Sequence, residues 1–251
     1  MTRAHALELA VLTLLAAAAA AAVPWSTGYL AWSWDALNHH VYLGLIAESP
    51  RWDRDVVAAS FQAYQYPYLY WPVYRLALLA GPGAAVGAIW SAFQAAMVVP
   101  PVWLISRRLM PDAKGAEGVF VRALACAMAL ASTVVLVGLE TTANDLLAAV
   151  PLLWAVAVAL RSHGSKRSAA LAAALWGVSA AFKLSNAIYL PVLLLWWWQP
   201  ERPWFPLKRG LAIAGGAIGG FVLAYAPWGW QLWSLTGNPF YPFFGGWFGG
   251  R

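Results

Sequence analysis

Lys183 is the residue whose surroundings most clearly suggest chemistry, because it interrupts the apolar run "WGVSAAFKLSNAIYLP". Placing a lone ammonium in a membrane costs roughly 2.5–3.5 kcal/mol even on the lenient insertion scale. A lysine near a helix end can reduce that cost by extending its ammonium towards the interface. Here Ser185 and Asn186 follow within three positions, and lysine binds phosphate as a point charge. The segment therefore predicts an anion site.

A second polar segment, "WDALNHHVY", also carries ionisable side chains between apolar runs. If it is helical, Asp35, His39 and Tyr42 share one face, and Asn38 lies beside them. Ionisable residues at a membrane are functional candidates, because burying them is costly. Simpler alternatives stay open: Asp35 could cap a helix or face water, and the two histidines could fill the interface.

Three further stretches have both a structural and a functional interpretation. The turn "LETTAND" holds Glu140 and Asp145, and Asp145 could simply cap the next helix, where an aspartate stabilises by about 1 kcal/mol. The stretch "FQAYQYPYLYWPVYR" could be an aromatic belt, or its rings and Arg75 could hold a lipid chain and its phosphate. The stretch "TGNPFYPFF" is either a surface turn or a lid over a pocket.

The composition of the 251-residue chain is that of a membrane protein, with 62% hydrophobic and 10% charged residues. Soluble domains carry roughly 25% charged residues, so this chain has too little polar surface to face water. The 17 tryptophans and 10 tyrosines suit the headgroup level of a bilayer. The single cysteine, Cys126, excludes an internal disulfide framework. Nucleotide-binding and hydrolase motifs are absent from the sequence.

Seven apolar runs could each form a spanning helix, so the sequence predicts an all-α polytopic membrane protein. A spanning helix needs about 20 residues, and the fourth, fifth and sixth runs are short. The stretch "YLYWPVYRLALLAGPG" is also short and holds Pro72 and Arg75, which predicts an interfacial helix that does not cross. The predicted spans are Leu7–Val23, Ala84–Ile105, Val119–Leu139, Leu146–Leu160, Ala169–Phe182, Leu184–Trp198 and Leu211–Trp228.

The positions of lysine and arginine predict the orientation, since cytoplasmic loops are enriched in both. With Arg3 in the cytoplasm, every later basic cluster falls on the same side. This pattern favours topology over nucleic-acid binding as the reason for the net charge of +6. The opposite side then holds a long first loop (24–83) with interfacial helices, the "LETTAND" and "FKLSN" turns, and a tail (229–251). We expect one transmembrane domain over residues 1–251.

The first and last predicted spans each carry an additional signal. The N-terminal segment also fits a signal peptide, with a basic start, an apolar stretch and small residues before Pro24. Because later segments already commit the chain to the membrane, an uncleaved first helix is favoured. In the last span, "GGAIGG" predicts close packing of two helices.

The order of these features resembles that of the integral-membrane glycosyltransferases of the GT-C superfamily. Members have a first helix, then a large extracytoplasmic loop that opens with a catalytic Asp and continues with interfacial helices. In this chain "WDALNHHVY" and "YPYLYWPVYRLALLAGPG" occupy these positions. A second polar site in the next outer loop matches "ETTAND", a glycine–lysine–serine turn matches "GVSAAFKLS", and "TGNPFYPFF" resembles a tail motif of some bacterial members. The resemblance covers nearly the whole chain.

The resemblance implies transfer of a sugar from a polyprenyl-phosphate-linked donor to an extracytoplasmic acceptor, in a bacterial inner membrane. Asp35 would be the general base that takes the proton of the acceptor hydroxyl. Lys183, together with Arg75, would hold the donor phosphate. The remaining substrate-binding candidates are His39, Asn38, Tyr42, Asp145 and Asn186. Some members use a divalent metal on paired acids, but a reaction without metal or other cofactor is favoured here.

Family members usually carry further helices after the seventh, whereas this sequence stops in "GGWFGGR". Seven helices correspond to the module that members share, so the chain could be a minimal form, a truncated one or an inactive fragment. The alternative from another class is a non-catalytic carrier of lipid-linked sugars or a flippase component. The enzyme hypothesis expects Asp35 and Lys183 to line one lipid-accessible cavity.

Overall fold

The computed structural model describes residues 2–28, 30, 33–55, 59–79, 81, 83–139, 141–161, 165–197 and 207–249. These residues form helices and turns without a strand, so the all-α prediction is confirmed. The α-helices are α1 (Arg3–Thr27), α2 (Val41–Glu48), α3 (Trp71–Leu79), α4 (Gly83–Leu109), α5 (Gly115–Leu130), α6 (Thr133–Leu139), α7 (Asp145–Ala159), α8 (Lys166–Phe182), α9 (Leu190–Trp197), α10 (Leu207–Thr236) and α11 (Gly245–Phe248). A π-helix (Ala36–His40) and two 3-10 helices (Ser60–Tyr64 and Leu184–Tyr189) lie between them.

Three of these helices, α1, α4 and α10, are long and apolar enough to cross a membrane. At about 1.5 Å per residue, each exceeds the roughly 30 Å thickness of a hydrocarbon core. They contain the first, second and seventh predicted spans in full.

The other four predicted spans coincide with shorter or interrupted helices. The third is divided between α5 and α6, with a turn at Ala131 and Ser132. Helices α7 and α8 have 15 and 17 residues, and the sixth span is a 3-10 helix followed by α9. Each piece is shorter than the roughly 30 Å hydrocarbon core, so the count of seven crossings stays a prediction.

The short helix α6 ends in carbonyl groups that side chains of α4 satisfy. Ser91 Oγ donates to the carbonyl of Leu139, and Gln94 Nε2 donates to that of Gly138 at 3.3 Å. Both α4 side chains are fully buried. Because the last carbonyls of a helix have no partner within it, these contacts allow α6 to end inside the protein.

Helices α8 and α10 approach each other at backbone contact. A Cβ atom on Gly216 would lie 2.2 Å from the carbonyl oxygen of Ala170, and one on Gly220 would lie 2.0 Å from that of Ala174. Only glycine permits this approach, so the close helix packing predicted from "GGAIGG" is confirmed. Helix α8 also packs on α7, which packs on α4, and α4 contacts α1 and α5.

Gly220→Leu is expected to destabilise the protein, because the new side chain must push α8 away from α10. Overpacking of this kind typically costs about 1–3 kcal/mol. Gly219→Leu is the matched control, since a Cβ there has nothing within 4 Å. Thermal unfolding in detergent should show a lower midpoint for the first variant only. Equal midpoints for the two variants would contradict the described helix contact.

At one end of the bundle, a buried ion pair joins α1, α4 and α5. The Glu8 carboxylate accepts from Arg122 Nε at 2.6 Å and Nη2 at 2.9 Å, and from Trp103 Nε1 at 2.9 Å. The Arg122 and Glu8 side chains are 7% and 10% exposed. Helix α1 is thereby tied to the bundle by hydrogen bonds as well as by apolar contacts.

Candidate functional site

At the other end of the bundle, four segments that are distant in sequence surround a cavity of about 220 Å³, here called the aromatic cavity. They are the first loop, the "LETTAND" turn, the "FKLSN" turn and the tail. The described lining is Tyr64, Gln65, Tyr66, Asn144, Ala181, Phe182, Lys183, Leu184, Ser185, Tyr225, Tyr241 and Phe243. The cavity thus brings together the four segments that were predicted to share one side of the membrane, whereas their placement on the extracytoplasmic side stays a prediction.

Lys183 lines the aromatic cavity at the point where helix α8 stops. Its backbone is extended (φ −149°, ψ 108°), and the 3-10 helix begins at the next residue. Its ammonium donates a hydrogen bond to the carboxylate of Asp145, the first residue of α7. The Lys183 side chain is 38% exposed and that of Asp145 is 52% exposed. Since an ammonium has three donors, Lys183 can bind a further anion while it keeps this contact.

Asn186 stabilises the break between α8 and α9 instead of lining the cavity. Its Nδ2 donates to Ser179 Oγ at 2.9 Å and to the carbonyl of Ala148 at 3.3 Å, and its own carbonyl accepts from Trp176 Nε1 at 3.0 Å. Ser179 Oγ donates to the same Ala148 carbonyl. Asn186 was a substrate-binding candidate, but its amide is committed to the backbone and side chains of α7 and α8. It is a positioning residue for the turn that carries Lys183.

Asp35 lies directly before the π-helix. The wider turn of this helix sets which side chains of the segment become neighbours. Asp35 Oδ1 and His39 Nδ1 remain neighbours at 3.9 Å. The side chain of Asp35 is 57% exposed, whereas that of His39 is 5% exposed. Single π-turns inside α-helices are frequent at functional sites. The arrangement leaves an accessible carboxylate beside a buried imidazole.

His40 connects this helix to the "LETTAND" turn. Its Nδ1 shares a hydrogen bond of 2.7 Å with Thr142 Oγ1, and its ring stacks on Tyr70 with centroids 4.5 Å apart. Burial, and next the neighbouring imidazole of His39, lower the pKa of His40 to about 4 against the opposing charge of Asp35. The His40 imidazole is therefore neutral at pH 7.

Asp35 and Lys183 both act electrostatically on His40, although they do not share the aromatic cavity. Burial, and then the charges of Asp145 and Asp35, raise the pKa of Tyr70. The Lys183 charge also contributes to the lowered pKa of His40. However, Asp35 is not among the described residues that line the aromatic cavity. The expectation that Asp35 and Lys183 line one cavity is not met there: they lie within electrostatic range of the same buried His40.

Asn38 and Tyr42, two further substrate-binding candidates, have partners within the first loop. Asn38 Nδ2 donates to Gln62 Oε1. Burial, followed by the charge of Asp55 and a hydrogen bond to it, raises the pKa of Tyr42 to about 12. The predicted shared face is therefore kept for Asp35 and His39, while Asn38 and Tyr42 bind other parts of the loop.

Arg75 lies on α3, whose nine residues are too few to cross a bilayer, as predicted for this segment. Its Nε pairs with the Glu48 carboxylate at 3.0 Å, and Trp71 Nε1 donates to the same carboxylate at 2.6 Å. Arg75 does not line the aromatic cavity in the part of the chain that the structure describes. The structure thus gives Arg75 an acidic partner and does not bring it to Lys183.

The "LETTAND" turn also holds Glu140, which lies outside the described residues. Within the described ranges, no group of three or more His, Cys, Asp or Glu side chains could hold a metal ion. Independence from metal stays a prediction.

Comparison of the chain with protein-family models, with curated proteins and with solved structures gave no match.

Proposed function

We propose that this chain is a membrane glycosyltransferase that uses a polyprenyl-phosphate-linked sugar as donor. It would act at the extracytoplasmic face of a bacterial inner membrane, with its N-terminus in the cytoplasm and the seven-span module of the GT-C superfamily. The observation that carries the proposal is the position of Lys183: an ammonium lies in the wall of a largely aromatic cavity, at a break between apolar helices.

The donor phosphate is assigned to Lys183. Irregular backbone at membrane depth is tolerated where it lines a cavity, and the turn after α8 is such a place in this topology. A fixed positive group stabilises the charge that develops on the phosphate as the sugar leaves, and it does so strongly where water is scarce. The proposed reaction needs no metal, because the ammonium of Lys183 stabilises the charge on the phosphate.

The acceptor hydroxyl is assigned to Asp35. The carboxylate takes the hydroxyl proton, the acceptor oxygen bonds to the anomeric carbon, and the bond from that carbon to the phosphate oxygen breaks. His39 lies beside the base, 3.9 Å from Asp35, and Asp145 accepts a hydrogen bond from the ammonium of Lys183. Because Asp35 does not line the aromatic cavity, the donor must extend from this cavity to the carboxylate.

Lys183→Gln is expected to weaken the binding of citronellyl phosphate, a short prenyl phosphate, by about tenfold or more, since a hydrogen bond to a charged group contributes about 1.5–3 kcal/mol. Titration calorimetry on the purified protein in detergent measures this affinity. Asp145→Asn should bind the probe at least as tightly as the wild type, because it removes the competing carboxylate. Lys166→Gln, at the start of α8 and therefore at its opposite end, is the control and should bind normally. Equal affinity of the Lys183 and Lys166 variants would contradict the assignment.

Two observations favour a second candidate, a non-catalytic carrier of lipid-linked sugars or a flippase component. Lys183 already has an acidic partner, and Asp35 lies outside the lining of the aromatic cavity. A carrier would bind the donor through Lys183 but would leave it intact, with or without Asp35. Binding without turnover in membranes that contain acceptor would select this candidate, or an inactive fragment of a transferase.

A further inference from the structure

The tail that follows α10 folds back over the aromatic cavity. Tyr241 and Phe243 of the tail line the cavity, together with Tyr64 of the first loop. The rings of Tyr64 and Tyr241 meet edge to face with centroids 4.6 Å apart. Two segments separated by most of the chain therefore form one continuous aromatic wall.

Asn238 fixes the shape of this part of the tail. It is fully buried, its Nδ2 donates to the carbonyl of Phe243 at 2.7 Å, and its Oδ1 accepts from the backbone amide of Phe240 at 2.9 Å. Phe240 in turn stacks on Tyr225 of α10, with ring centroids 5.4 Å apart. The amide of Asn238 thus connects both sides of the turn that presents Tyr241 and Phe243.

We propose that tail residues 237–244 form the sugar-recognition element of the aromatic cavity, with Tyr241 and Phe243 contacting the sugar ring of the donor. This inference rests on the proposed function, because it assigns the sugar to the cavity whose ammonium binds the phosphate. Asn238 is a positioning residue, since it acts through the turn.

The chemistry of the wall suits a sugar that is joined to a phosphate. A sugar ring has apolar C–H faces and polar edges, which match aromatic faces that also carry phenolic hydroxyl groups, as Tyr64 and Tyr241 do. The cavity of about 220 Å³ is smaller than the roughly 300–1,000 Å³ of pockets for drug-sized ligands. It therefore fits a single sugar ring with its phosphate, and the lipid chain would remain outside. Phe243 is 54% exposed, so part of its ring is free to be covered by a ligand.

The test compares two kinds of probe: citronellyl phosphate itself, and citronellyl phosphate esterified at its phosphate to mannose or to glucose. The ratio of their dissociation constants reports the contribution of the sugar ring. Phe243→Ala should reduce the preference for the better hexose ester over citronellyl phosphate by roughly threefold to tenfold, as expected for one aromatic contact. Phe244→Ala is the matched control, because Phe244 is 50% exposed in the same turn but does not line the cavity.

Asn238→Asp tests the positioning role separately. It keeps an acceptor for the Phe240 amide but loses the donor to the Phe243 carbonyl. It should reduce the same hexose preference while phosphate binding persists, a pattern that general loss of folding would not give. Tyr241→Phe, which removes one hydroxyl group, should change the relative affinity for mannose and glucose esters.

The outcomes separate the two proposals. If the wild type binds neither probe, the proposed function fails and the tail inference fails with it. If the wild type prefers a hexose ester, and Phe243→Ala and Phe244→Ala both keep that preference, the tail inference alone is overturned. If the wild type binds citronellyl phosphate and the hexose esters equally, the sugar ring is not recognised by this cavity, and the tail inference is likewise overturned.

Discussion

Asp35→Asn is expected to lower the rate of sugar transfer by roughly 10²–10⁴-fold, the typical contribution of a general base. Asparagine has nearly the same shape as aspartate but cannot take the proton of the acceptor hydroxyl. The Asp35 side chain is 57% exposed, and its contact with His39 Nδ1 is long, at 3.9 Å. The fold and the binding of citronellyl phosphate should therefore persist in this variant.

Asp53→Asn is the control for this experiment. Asp53 lies in the same loop, is 72% exposed and pairs with Arg54 at 3.2 Å, but it has no role in the proposed reaction. Initial rates of transfer from a labelled donor, measured in membranes that express each variant at equal level, should fall only for the Asp35 variant. An unchanged rate with Asp35→Asn would remove the general base from the proposal.

Arg122→Met is expected to cost about 3–5 kcal/mol of stability, because it leaves the buried Glu8 carboxylate without its positive partner. Among the hydrogen bonds of the described residues, the one from Trp103 Nε1 would remain on that carboxylate. The guanidinium and carboxylate are joined by two hydrogen bonds at low exposure, so little water is present to screen the lost charge. Thermal unfolding in detergent should show a large decrease in the midpoint.

The double variant Glu8→Leu with Arg122→Met distinguishes lost charge pairing from lost packing. Replacing both members of a buried ion pair by apolar residues is often neutral, so the double variant should recover most of the stability that the single variant lost. If the double variant is as unstable as Arg122→Met alone, the ion pair is not the cause of the loss.

The helices that sequence analysis predicted well are those with long, uniform apolar runs. Helix α4 contains the whole predicted span Ala84–Ile105, because at least 20 apolar residues leave few other structures in a membrane. The break at Ala131 and Ser132 was not predicted, since apolar residues continue on both sides of it. The end of α6 was also not predictable, because it depends on donors from another helix, such as Gln94, which the local sequence does not reveal.

Within the candidate site, the segments that form it could be predicted from the sequence. The partners of several of their residues could not. The end of α8 at Lys183 was predictable, because a single lysine interrupts an apolar run. His40 was missed, because the four-residue spacing of a regular α-helix favoured His39, and the π-helix changed the register. Arg75 and Asn186 acquired partners distant in sequence that remove them from the cavity wall.

The buried ion pair between α1 and α5 could have been predicted from the sequence. Glu8 and Arg122 are each a lone charge within a predicted span, and they have opposite signs. Charged residues inside spanning segments usually pair with one another. Matching isolated charges between predicted spans would therefore have suggested the contact between α1 and α5.

Turnover of a lipid-linked sugar is the most direct test of the proposed glycosyltransferase activity. Membranes that contain the wild-type chain and its natural acceptor would be supplied with polyprenyl-phosphate hexoses labelled in the sugar, and the lipid and polar fractions would be separated over time. We expect label to leave the lipid fraction with the wild type and to stay there with Asp35→Asn and with Lys183→Gln. Label that stays in the lipid fraction with the wild type for every hexose, or leaves equally fast with all three proteins, would contradict the proposed activity.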